Sequence, residues 1–224
     1  MQIPDKYRKV EKYMNKCMSG VHDSEHARRV LFYALDIAAT EPDADIDIVV
    51  IASLLHDIGR MAQTKDKKVN HAEEGALMAR KWLLKEGYPK EFADAVAECI
   101  ATHRFRSGNE PKTLEAKIVF DADKVDTTGA IGIARAIAYG GEEHEPLYLL
   151  DENGQVSDGK SDKENSLMKE SWKKIRVIGD RFLTKRGKEL GLERAEIAQR
   201  TIDAIIAEAR ACYANAEEAL KKLI

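Results

Sequence analysis

Three features predict an all-α fold for this chain of 224 residues. Apolar residues recur at helical spacing over most of its length. Residues 46–58, IDIVVIASLLHDI, are apolar around most of a helical circumference, as in a helix buried on nearly all sides. No ladder of alternating segments bounded by turn residues can be traced. In order, residues 5–18 read as a short first helix. Ser24 can cap a second helix, about sixteen residues long, with Ala27, Val30, Ala34 and Ile37 on one stripe and an end near Glu41-Pro42. The buried helix 46–58 ends at Gly59; its β-branched run would also suit a buried strand, and length decides for helix. A helix over about 71–86 turns Ala76, Ala79 and Leu83 inward and is closed by Gly87 and Pro89. The next, about 90–103, packs on Phe92, Val96, Cys99 and Ile100, and the polar loop SGNEP follows. A helix over about 113–126 uses Leu114, Ile118, Val119 and Ala122, and 128–139 continues helically, with Gly129 and Gly132 allowing close packing. The stretch from Gly140 to about Lys163 is rich in Gly, Asp, Glu and Ser and reads as a surface excursion or lid. Two long helices, about 165–185 and 190–222, finish the chain, with Gly187 and Gly191 between them.

Composition narrows the class. Hydrophobic residues make up 44% and charged residues 33%, a globular mix. With 36 basic against 39 acidic residues the net charge is −3, so nothing draws the whole chain toward nucleic acid or an anionic membrane. Cys17, Cys99 and Cys212 are widely spaced and form no CxxC pair. That argues against a disulfide partner or a thiolate zinc site and places the chain in a reducing cytoplasm. The N-terminus lacks the apolar core of a signal peptide, and Ile46–Leu55 is too short to span a bilayer. The abundance of Lys, Glu and Arg would suit a thermophile and equally any helical protein. We expect one domain over 1–224, with a core at about 20–140, the variable loop, and a C-terminal helix pair that could offer a homodimer surface.

Chemistry-bearing residues gather on the inward stripes. His26 precedes Val30 and Ala34 by one and two turns; His56 and Asp57 close the buried helix; His103 continues the Phe92, Val96, Cys99/Ile100 stripe; Asp123 is one turn past Val119. A carboxylate buried without a partner costs several kcal/mol or more, so Asp57 and Asp123 need cationic company. A single inward histidine is usually a hydrogen-bonded core residue, and nearby lysines or arginines could pair the carboxylates. A divalent cation would satisfy the whole group at once. Nitrogen and oxygen donors without thiolate suit Mn²⁺, Fe²⁺, Co²⁺, Ni²⁺ or Zn²⁺, with Mg²⁺ also open and Ca²⁺ less natural.

The segments HDSEHARRV, ASLLHDIGR and FDADKVDTTGAIGIARA closely resemble the HD-domain metal-dependent phosphohydrolase superfamily, in particular its small stand-alone branch of predicted hydrolases. The likeness is strong over about 20–140, and FLTKRGKELGLERAEIAQRTIDAI resembles the C-terminal helices of that branch. The resemblance implies an HD-domain helical bundle with metal ligands at His26, His56, Asp57 and Asp123. His71 and His103 match positions that supply a second metal in some members, or else line the pocket. The Gly-Tyr-Pro signature of cyclic-dinucleotide phosphodiesterases is absent; after His103 the chain reads RFRSGNEP.

The activity so implied is hydrolysis of a small phosphate ester, with nucleotides as the leading substrate class, by a metal-activated water and one or two ions. Asp57 would be a ligand, a bridge between ions, or the group that orients the water. His71 and His103 would position phosphate oxygens or protonate the leaving group. Lys124, beside a ligand, would neutralise phosphate charge, or is simply a solvated lysine. Arg104 and Arg106 could meet an anion, although loop arginines are usually just exposed. His22 and Asp23 read as support for neighbouring ligands. His144 reads as exposed, and Trp82 and Trp172 as packing residues. Two other functions fit the same donors: a di-iron oxygenase of this fold, and a metal or nucleotide sensor without turnover.

Overall fold

The structure is a computed structural model that describes residues 3–18, 24–104, 109–171 and 181–223. It is helical, as expected. Among the described residues the only β feature is an isolated antiparallel bridge between Leu150 and Val156, and no described helix is long and apolar enough to cross a membrane. The chain divides into two compact units, 1–126 with 182–189, and 127–181 with 190–224.

The first unit opens with a 3₁₀ turn (Asp5–Tyr7) and α1 (Arg8–Cys17), followed by α2 (Ser24–Ala38). Next comes α3 (Ile46–Leu55), whose N-terminal amides of Asp47 and Ile48 donate to the Asp45 carboxylate. Then follow α4 (Arg60–Lys65), α5 (His71–Lys85), α6 (Lys90–Thr102) and α7 (Leu114–Asp126). α2 packs against α3 and α7, α5 against α6, and α1 against α3. The shared core includes Met14, Leu31, Leu54, Leu83, Val96 and Val119. Trp82 packs as expected, stacked on Tyr13 with ring centroids 4.7 Å apart; Trp172 lies outside the described residues.

α2 is described from Ser24 onward, and residues 19–23 before it lie outside the described residues. Two features of this unit differ from the sequence reading, the end of α3 and the presence of α4. α3 ends at Leu55, three residues early: Ile58 donates to the Leu55 carbonyl and Arg60 to the Asp57 carbonyl, so His56 and Asp57 ride on tight i→i−3 turns. The turns bring Gly59 hard against the start of α5, where a Cβ would lie 2.2 Å from the His71 carbonyl oxygen. The unexpected α4 follows at once. Its sequence RMAQTK has no buried residue, and so no apolar stripe to announce it.

The second unit holds α8 (Gly129–Glu142), α9 (Leu167–Glu170) and most of α10 (Lys185–Lys221), around Ile133, Leu167, Met168, Ala198, Ile202 and Ile206. The excursion expected from Gly140 begins after α8. His144 is exposed there, as expected. Of the helix expected over 165–185, the described part shows only α9; 172–180 lie outside the described residues. The break expected at Gly187 and Gly191 is absent, because α10 runs through both. Gly187 serves proximity instead of termination: a Cβ there would sit 2.4 Å from Asp121 Oδ2, within the first unit. Asp121 is buried and accepts from the amides of Leu183 and Thr184 and from the Thr184 hydroxyl, which ties the start of α10 to α7.

Candidate metal centre

Four buried histidines meet in the first unit: His26 from α2, His56 from the turn after α3, His71 from the start of α5 and His103 from the end of α6. Each has its Nδ1 against a group that can only accept. His26 Nδ1 donates to Asp126 Oδ2 at 2.8 Å, His56 to the Ser53 carbonyl at 2.8 Å, His71 to Gln63 Oε1 at 2.8 Å and His103 to the Ile100 carbonyl at 2.6 Å. With the proton held on Nδ1, each neutral ring turns a bare Nε2 lone pair inward. Burial favours the neutral ring, pushing His56 down to about 4 and His71 to about 2 against the partial opposition of Asp57.

These nitrogens face carboxylate oxygens. His26 Nε2 lies 3.2 Å from His56 Nε2, 3.6 Å from Asp57 Oδ2 and 3.4 Å from Asp123 Oδ1. His56 Nε2 lies 3.7 and 3.8 Å from the same two oxygens. The other Asp57 oxygen, Oδ1, lies 3.4 Å from both His71 Nε2 and His103 Nε2. His71 Nε2 and His103 Nε2 are buried with no hydrogen-bond partner.

Lone pairs aimed at one another and at carboxylates, with no proton between them, repel unless a cation intervenes. Bonds of about 2.0–2.2 Å to a tetrahedral ion would hold donors about 3.3–3.6 Å apart, close to the spacings of the first cluster. The residues therefore fit a divalent ion. Two donor groups answer the geometric requirement, His26 with His56 and Asp123, and Asp57 with His71 and His103. Asp57 offers one oxygen to each.

The surrounding charges are engaged as well. Lys124 Nζ donates to Asp123 Oδ2 at 2.7 Å and to the His103 carbonyl at 2.9 Å, and is not a solvated surface lysine. Burial alone would raise the Asp123 pKa, but the charge of Lys124 holds it well below the usual carboxylate range. Arg104 Nη1 reaches Asn70 Oδ1 at 3.5 Å. His22, Asp23 and Arg106 lie outside the described residues.

Sequence reasoning missed four participants. Asp126 is fully buried, orients His26, and is gripped by Arg29 through Nε at 2.8 Å and Nη2 at 3.2 Å. Its signal was there to read: it follows Asp123 by one helical turn. Arg60 Nε donates to Asp57 Oδ1 at 2.9 Å, and Gln63 accepts from both Arg60 and His71. Arg60 and Gln63 belong to α4, so they could not be placed without that helix.

Residues 23–128 match the family model of the HD domain. An uncharacterised protein of Bacillus subtilis, YpgQ, is 35% identical over 134 residues, which cover 58% of this chain and 62% of that relative. The crystal structure of YpgQ in complex with ADP is similar over 90% of this chain and 96% of its own, with 27% identity and a TM-score of 0.70. A predicted HD superfamily hydrolase from an uncultured Thermotogales bacterium is similar over 90% and 91%, with 26% identity and a TM-score of 0.61.

Proposed function

This chain carries an HD domain at residues 23–128, and from that premise we propose that it is a metal-dependent phosphohydrolase acting on a nucleotide or another small phosphate ester. The observation that carries the proposal is the set of four imidazole lone pairs and two carboxylates converging without a proton between them. His26, His56, Asp57 and Asp123 would hold one ion, and Asp57, His71 and His103 a second. A bound divalent ion lowers the pKa of water and polarises a phosphoryl oxygen.

The protein's own residues supply orientation and charge. Asp126 and the Ser53 carbonyl hold His26 and His56 in one tautomer. Lys124, fixed between Asp123 and the His103 carbonyl, brings a positive charge to the rim of the centre, where a phosphate oxygen can share it. The nucleotide assignment draws on ADP in the complex of YpgQ.

A panel of phosphomonoesters and phosphodiesters, nucleotides included, assayed with Mn²⁺, Ni²⁺, Co²⁺ and Mg²⁺ tests the proposal. We expect turnover that His56→Ala and Asp57→Ala each reduce by at least about a hundredfold while the helical spectrum stays intact. Activity untouched in both variants would remove the site from the reaction. Because six donor residues, one of them a shared carboxylate, also suit a di-iron oxygenase, iron content and oxygen consumption are measured alongside. Iron-dependent oxygen uptake without phosphate release would favour that chemistry. Tight nucleotide binding without any turnover would favour a sensor.

A further inference from the structure

The two donor clusters are not equivalent, and the difference lies in α4. In the first cluster, the oxygens that face His26 and His56 are Asp57 Oδ2 and Asp123 Oδ1, while Lys124 takes the opposite oxygen of Asp123. In the second, Asp57 Oδ1 is, among the described residues, the sole carboxylate oxygen facing His71 and His103, and that oxygen accepts the Arg60 guanidinium at 2.9 Å. Arg60 thus delivers its positive charge to the one anionic donor that a second cation would need. It is steadied by Gln63 Oε1 at 3.3 Å, the same oxygen that fixes the His71 tautomer. Its side chain is 29% exposed, so it can swing outward without unpacking the core.

We propose that Arg60 is an internal counter-cation that makes the second cluster a conditional metal site, filled only when the guanidinium releases Asp57 Oδ1. This rests on the reading of the centre as a metal site and adds to it an order of loading. The first ion enters beside Asp123 and Asp57 Oδ2 with Arg60 in place. The second must displace a charge-assisted hydrogen bond and accept a donor set of two neutral imidazoles and one shared oxygen. A hydrogen bond to a charged group shifts such an equilibrium by about ten- to a hundredfold. Arg60 is a positioning residue here, because it sets which cation occupies the carboxylate and does not itself ligate. A displaced guanidinium would be free to bind a phosphate oxygen.

The test is calorimetric titration of the chelator-stripped, full-length chain with Mn²⁺ alone, using wild type, Arg60→Met, Arg60→Gln and His71→Ala. In wild type we expect one tight step and a second that is much weaker or undetected. Either Arg60 variant should strengthen or reveal the second step by about tenfold or more, with the first within about threefold of wild type. His71→Ala should remove the second step and spare the first. A second step unchanged or weakened in both Arg60 variants, or both steps shifted together, overturns the role of Arg60 and leaves the metal centre standing. Absence of Mn²⁺ binding in every form overturns both.

Discussion

At the scale of single residues, the tautomer lock is what makes the centre ready for a cation. His26 depends on Asp126, which Arg29 in turn grips. Asp126→Ala should therefore weaken metal binding by about ten- to a hundredfold although Asp126 touches no ion, measured as the Mn²⁺ dissociation constant. Unchanged affinity would show that the lock is dispensable. The same burial predicts a pH response in metal-free protein. His56 and His71 titrate at about 4 and about 2 when folded, against the ordinary histidine value of 6.5 when unfolded. Between these limits the unfolded chain binds more protons, so stability that is full above about pH 6.5 is lost as the pH falls. Asp123, held well below its ordinary value, adds its own loss only at lower pH. The raised Asp121 carboxyl works in the opposite direction at the acid end. We expect the unfolding free energy from urea melts to drop by about 2 kcal/mol per pH unit between about pH 6 and 5, a slope that charged histidines would not give.

At the scale of elements, the site is built where helices end. α3 stops early because Gly59 lies against the backbone of α5, with a Cβ position 2.2 Å from the His71 carbonyl oxygen and 2.6 Å from the Gly75 amide nitrogen. Backbone cannot move aside as a flexible side chain does. Gly59→Ala should therefore cost about 1–3 kcal/mol in chemical denaturation and displace His56 and Asp57 relative to His71, lowering metal affinity as well. A variant as stable as wild type would contradict this packing. Much of this level could be read from sequence. The stripes through Val30, Val96 and Val119 located α2, α6 and α7, and carried His26, His103 and Asp123 to the inward side. α4 was not legible, since a short polar helix has no apolar period, and with it went Arg60 and Gln63. α10 was misjudged at Gly187 because glycine serves two purposes: it ends helices, and it lets a helix approach another group, here Asp121. Asp126, one helical turn past Asp123, was legible as a support for the proposed ligand, whereas nothing in the sequence alone marks Asp121 as the anchor of α10.

At the scale of the whole molecule, residues 23–128 match the HD-domain family model, and the chain divides into two compact units, the second built from α8, α9 and most of α10. The donors come from α2, the turn after α3, α5, α6 and α7, spread over residues 26–123. An ion that binds only when these elements are assembled must stabilise the fold. At a hundred times its dissociation constant it should add about 2.7 kcal/mol, seen as a rise in melting temperature that chelation reverses. No change in melting temperature would indicate that the ion does not link those helices. The decisive experiment on the proposed metal centre is a crystal of the full chain grown with Mn²⁺, with anomalous differences recorded at the manganese edge. We predict a strong peak bounded by His26 Nε2, His56 Nε2, Asp57 Oδ2 and Asp123 Oδ1. An ordered pocket with those side chains in place and no peak among them would refute the assignment.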